Sequence, residues 1–194
     1  MTMPIDRPHR LAGPSAALLY LMAAPLAAQD MSAFETGPVF DGFGPHASVA
    51  GVEPFAADTA FAHSFDVAKA TEDGARNRGF ESAARFINMH VAAGVPEENI
   101  RVAVVVHGPA VLDLLNDGGW SARQLATAEG SLDNPSGPMV RAMLDHGVRF
   151  IVCGQSAAAQ GVTPDQLIEG VEMDLSAMTA HARLQQEGYT VNPF

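Results

Sequence analysis

The chain has 194 residues, of which 47% are hydrophobic and 7% aromatic, enough for one ordinary buried core and little more. Lys and Arg number 11 against 22 Asp and Glu, a formal charge of −11, and no basic run offsets it locally, which excludes sequence-independent nucleic-acid binding. A single cysteine excludes an intrachain disulfide and a cysteine-paired zinc ribbon, and beyond the amino terminus there is no apolar stretch of about eighteen residues to span a membrane stably.

Residues 1–28 read as a signal peptide. Arg7, His9 and Arg10 precede the apolar run Leu11 to Ala28, which ends in small residues ahead of Gln29 and Asp30. Ala28 suits a cleavage site, whereas Leu26 is bulkier than the small residue usually found two positions earlier. The expected localisation is periplasmic or secreted. A lone thiol in an oxidising compartment must then be shielded or used. Residues 29–58 form a Gly/Pro/Phe-rich amino-terminal arm with no regular period; its spaced Phe34, Phe40, Phe43 and Phe55 argue for docking on a folded surface.

Regular patterning begins in residues 60–67, where Phe61, His63, Phe65 and Val67 alternate with small or polar residues, as in a strand. Residues 75–93 place Phe80, Ala83, Ala84, Ile87 and Val91 at helical spacing, and Gly94 and Pro96 stop the run. Ile100 to Val106 is almost continuously apolar and β-branched, which predicts a central strand covered on both faces. A second helix is expected from Pro109, carrying Val111, Leu112 and Leu115 and ending at Gly118-Gly119; residues 120–130 are ambiguous. Met139, Val140, Met143 and Leu144 predict a third helix, and Val148 to Val152 another buried strand that ends at Cys153.

After Cys153, Gly154-Gln155-Ser156 leads into an alanine-rich helical turn that stops at Gly161, and Thr163 to Gln166 resembles a helix start. A short strand at 171–173, a helix over 174–187 with Leu175, Met178 and Leu184 inward, and a final edge strand at 189–191 complete the chain. Strands alternating with helices predict a parallel α/β sheet.

Ligands of such sheets collect beyond the carboxyl ends of the strands. Three polar groups fall there: Asp66 to Lys69, His107-Gly108-Pro109 and Cys153-Gly154-Gln155. A thiolate at the amino end of a helix is stabilised by free N–H groups, and Gly154 leaves the backbone open beside the sulfur. His107 is a candidate cationic partner or proton acceptor for it. The alternative is that Cys153 is a small core residue closing an apolar strand. Gly108, Gln155 and Asn116 are candidate binding residues at the same mouth, although Asn116 and Asn134 equally suit caps and turns. Asp66 and Lys69 read either as a charged pair at the rim or as solvated residues of a loop, and a surface pair of that type contributes little energy. Asn88 and His90 read as internally hydrogen-bonded, and His46, His63, His146 and His181 show no metal-ligand spacing, so no metal or cofactor is expected.

From Phe65 to Pro193 the order Phe65-Asp66-Val67-Ala68-Lys69, Val105-Val106-His107-Gly108-Pro109-Ala110, Leu115-Asn116-Asp117, Asp133-Asn134-Pro135, Val152-Cys153-Gly154-Gln155 and Gly188-Tyr189 resembles the DsrE/DsrF-like family, which includes YchN-like proteins. The arm from Gly37 to Pro45 resembles the extension of its exported, stand-alone members. The resemblance implies a three-layer α/β domain over 59–194, with a mostly parallel sheet of about five strands and helices on both faces. It also implies a homo-oligomer, trimer or hexamer, and a sulfur relay in which Cys153, matching the family's strand-end cysteine, takes a sulfane sulfur as a persulfide and passes it on. Partners would be a sulfur donor or acceptor protein or a small sulfur compound. The competing expectation is a non-catalytic oligomeric module that binds a small ligand or partner, with Cys153 inert. Peroxide or dithiol chemistry at the same sulfur needs a resolving thiol that the chain does not supply.

Overall fold

The computed structural model describes residues 31–72, 74–127 and 132–192; residues 1–28, expected to be a signal peptide, lie outside them. Two short strands, β1 (Phe34–Glu35) and β2 (His46–Ala47), pair antiparallel within the arm. The main sheet contains β3 (Phe61–Val67), β4 (Ile100–Val106), β5 (Arg149–Cys153), β6 (Glu172–Asp174) and β7 (Thr190–Asn192), in the order β6-β5-β4-β3-β7. Every pairing in it is parallel. The α-helices are α1 (Arg78–Ala92), α2 (Asp117–Thr127), α3 (Gly137–Asp145), α4 (Gly154–Gln160) and α5 (Ala177–Gln186). Among the described residues no helix is long and apolar enough to cross a membrane.

The continuous apolar run of β4 is explained by burial on both sides. Val102, Val104 and Val106 join the larger core with Phe80 and Ile87 of α1 and Met139 and Met143 of α3, while Ala103 and Val105 face Ala180 and Leu184 of α5. The sheet therefore lies between two helical layers, a three-layer α/β domain. α1 begins at Asn77, whose Oδ1 accepts from the N–H groups of Gly79 and Phe80 at 2.8 and 3.3 Å. The arm is docked: Phe40 is buried, and Asn88 of α1 accepts from the Phe40 N–H and donates to the carbonyls of Phe40, Phe43 and Gly44.

Two expectations need correction. The segment after β4 is a 3-10 stretch, Gly108–Leu114, followed by a separate helix, α2. Gly118 and Gly119 do not end a helix but lie in the first turn of one. Asn116 Oδ1 accepts the Gly119 N–H at 2.8 Å, and a Cβ at Gly119 would stand 3.0 Å from the Gln166 carbonyl, so close packing accounts for that glycine. In α5 only Leu184 of the three expected inward residues is buried; Leu175, just ahead of the helix, and Met178 are 68% and 81% exposed.

Candidate functional site

Cys153 ends β5 and stands at the amino-terminal cap of α4, with extended backbone angles and 5% exposure. Burial by itself pushes its thiol up. That push is outweighed by hydrogen bonds from the Ser156 side chain and from the backbone N–H groups of Ser156, Ala177 and Gln155, which hold the thiol below its ordinary value. Two of these N–H groups belong to the first turn of α4, and the third belongs to the first residue of α5. The approach of α5 depends on Gly154: a Cβ there would lie 2.8 Å from the Asp174 carbonyl oxygen. Gly154 thus lets the β6–α5 junction close over the sulfur.

The same sheet face carries Asp66 near the carboxyl end of β3. In β3, Ala62 packs on the smaller core beside α5, and strand alternation sends Asp66 to that side. Its Oδ2 accepts from His107 Nε2 at 3.0 Å and its Oδ1 from His181 Nε2 at 2.8 Å. Burial raises the Asp66 carboxyl, but these hydrogen bonds and the two imidazoles bring it below the usual carboxylate range. An ionised carboxylate only accepts, so both rings carry hydrogen on Nε2. His181 Nδ1 is buried without a hydrogen-bond partner among the described residues.

His107 therefore turns to Asp66, not to the thiol as expected. Its connection to Cys153 runs through the next residue. The Gly108 N–H donates to Ser156 Oγ at 3.0 Å, and Ser156 lies in the first turn of α4, directly after Cys153, where it helps to hold the thiol low. Gly108 takes φ +54 and lies close to the Ala68 carbonyl, so it fits this turn for conformational reasons. Gln155 is exposed and its Nε2 donates to the Leu175 carbonyl at 3.4 Å. Asn116 joins none of these groups; it donates to the carbonyls of Asp165 and Leu167 and caps α2.

Asp66 was placed at this rim but given no role there, and His181, Ser156 and the Ala177 amide are the participants that the sequence did not reveal. Beside Asp66 opens a cleft of about 320 Å³, lined by Lys69, Thr71, Arg76, Asn77 and Arg78 among others, with neither Cys153 nor His107 in its walls. Beneath this loop Asp113 is buried, accepting from the Thr71 N–H at 2.8 Å and Asn77 Nδ2 at 2.6 Å. Burial pushes its carboxyl up to about 6. Among the described residues no group of three His, Cys, Asp or Glu side chains is arranged to hold a metal ion.

The fold is a three-layer α/β domain with a parallel sheet whose strand β5 ends on a cysteine at the cap of α4. The model of the DsrE/DsrF-like family matches residues 62–193, and the chain belongs to that family. Among solved structures it is similar to MTH1491, a protein of unknown function from Methanobacterium thermoautotrophicum, at 22% identity over 68% of this chain and 97% of that chain, with a TM-score of 0.44. No curated protein matches the sequence.

Proposed function

We propose that the protein is a sulfur carrier in which Cys153 accepts a sulfane sulfur and passes it on. The observation that carries this reading is the place of Cys153, at the end of β5 and at the amino-terminal cap of α4, where Ser156 and the Gln155 and Ala177 amides hold its thiol below the ordinary value. Such donors favour the thiolate, the nucleophilic form, and would equally favour an anionic persulfide in its place. Membership of the DsrE/DsrF-like family supports the same reading.

In the loading step the Cys153 thiolate attacks the terminal sulfur of a donor persulfide. One S–S bond forms at Sγ, the donor's own S–S bond breaks, and the donor leaves as a thiolate. In the unloading step an acceptor thiolate attacks the terminal sulfur and Cys153 leaves as a thiolate again. Electrons balance within each exchange, so neither step needs an external oxidant or a second cysteine. Entry to the nearly enclosed sulfur is proposed from the side of Leu175 and Met178, which are exposed next to the Ala177 amide.

Export through cleavage after residue 28 and assembly into a trimer or hexamer belong to the same proposal. The basic-then-apolar start supports the first and the family resemblance the second. Amino-terminal sequencing of protein recovered from the periplasm, and light scattering of the purified chain, test them.

Intact mass after exposure to inorganic polysulfide tests the carrier reading itself. The wild-type chain is expected to gain one sulfur atom and Cys153→Ser none; equal masses for the two would overturn it. One observation favours a second reading, a binding module with an inert cysteine: Cys153 is only 5% exposed. That reading requires native Cys153 to resist small thiol reagents until the chain is unfolded.

A further inference from the structure

Asp66 makes no hydrogen bond to Cys153, yet both of its partners lead there. His181 stands four residues after Ala177, one turn along α5, so the bond from His181 to Asp66 ties the start of that helix to β3. His107 is followed by Gly108, whose N–H holds Ser156 Oγ at 3.0 Å, so the bond from His107 to Asp66 fixes the turn that orients the serine hydroxyl. One carboxylate thus anchors two separate backbone segments, the turn after β4 and the start of α5.

We propose that Asp66 is a positioning residue for Cys153, holding the start of α5 through His181 and the first turn of α4 through His107, Gly108 and Ser156. This rests on the reading of Cys153 as a working thiolate. The proposal has a distinctive sign. An anion near a thiolate opposes it by Coulomb repulsion, so simple loss of the Asp66 charge would make the thiol more acidic. Loss of the anchor would misplace two donors and make it less acidic. Beside Cys153 on the flanking elements stand Asp174, in register with it on β6, and Arg183 of α5, which pair at 3.6 Å, while Arg149 and Glu172 pair at the amino end of β5 and β6; all are common to every variant below.

The test is the pH profile of iodoacetamide alkylation of folded wild-type protein, Asp66→Ala, Asp66→Asn, His181→Ala, His107→Ala and the double histidine variant. Asp66→Ala is expected to raise the apparent thiol pKa and slow alkylation at neutral pH about fivefold. Asp66→Asn, which keeps an acceptor for one ring and an amide for the other, is expected to match the wild type or fall slightly below it. Each histidine variant should give part of the Asp66→Ala effect and the double variant all of it. Ser64→Ala, which removes a hydrogen bond to the Thr190 carbonyl from the same strand, controls for loss of stability and should leave the profile unmoved.

An acidic wild-type thiol with an unchanged or lowered value in Asp66→Ala would overturn the positioning role and leave the carrier reading standing. A wild-type thiol no more acidic than in the unfolded chain would overturn the carrier reading and the positioning role together. Should Asp66→Ala fail to fold, the two single histidine variants carry the same test: an unchanged profile in both overturns the proposal.

Discussion

The two ends of the parallel sheet use similar ionisable chemistry to different effect. At the amino end, Arg149 of β5 meets Glu172 of β6 through two 2.8 Å bonds and Glu187 through a third of 2.9 Å. Those carboxylates are nearly half exposed, and every charge has an opposite charge beside it. At the carboxyl end the Asp174–Arg183 pair is looser, at 3.6 Å, two imidazoles bond to Asp66, and amides and a hydroxyl hold the Cys153 thiol below its ordinary value. Saturated surface pairing fastens strands and leaves nothing to react. Partly enclosed donors aimed at an ionisable sulfur instead shift which form of the sulfur exists, which is the condition for nucleophilic chemistry.

The sharpest way to stress the carboxyl end is Asp113. Its carboxyl is raised by burial from the ordinary range to about 6, so the folded state favours the protonated form. The associated stability is complete below the unfolded value near pH 4 and is lost as pH rises through about 6, a change on the order of 3 kcal/mol. Asp113→Asn, which keeps an acceptor oxygen for Thr71 and Asn77, is expected to abolish that slope and to be the more stable protein at pH 8. Urea denaturation across pH 4 to 8 measures this, and parallel curves for the two chains would contradict it.

Next in size is Gly154→Ala. With a Cβ 2.8 Å from the Asp174 carbonyl oxygen, the β6–α5 junction must retreat, at a cost of about 2 kcal/mol. Cys153 should also become less acidic as the Ala177 amide moves away. Ser156→Ala removes one donor to the sulfur and the acceptor of the Gly108 N–H, and should slow alkylation at neutral pH several-fold with a loss of about 1 kcal/mol in stability. Smallest is Arg149→Gln at the opposite end. It is expected to cost below about 1 kcal/mol, less in high salt, and to leave thiol reactivity untouched. A change in the alkylation profile of Arg149→Gln would erase the distinction between the two ends.

Much of the fold was legible because its signals are local. The run Ile100 to Val106 can only be a strand covered on both faces, and a thiol closing Arg149 to Cys153 must fall at the carboxyl edge of the sheet. The start of α2 was not legible. Gly118 and Gly119 carry a helix-ending composition, and what keeps them helical is the Asn116 cap and the close approach of the Gln166 backbone, both tertiary. Leu175 and Met178 follow an apolar spacing, yet the smaller core is narrow enough for α5 to fill it with Ala180 and Leu184.

The site divides in the same way. Cys153, His107 and Gly108 stand out from their places in the chain. Asp66 and Lys69 read as a rim pair or as solvated loop residues, and His181 as one of several histidines without metal-ligand spacing, because the bond from Asp66 to His181 joins positions 115 residues apart. No spacing rule reports such a contact. It emerges once the register of β3 and the placement of α5 are known.

A sulfur carrier of this kind requires that Cys153 ionise readily in the native protein. The direct measurement is the apparent pKa of Cys153 from the pH dependence of iodoacetamide alkylation, taken on folded wild-type chain and on the same chain unfolded in urea. The expected result is a lower value and faster neutral-pH labelling in the folded protein. A folded-state value equal to or above the unfolded one, with labelling only on denaturation, would contradict it.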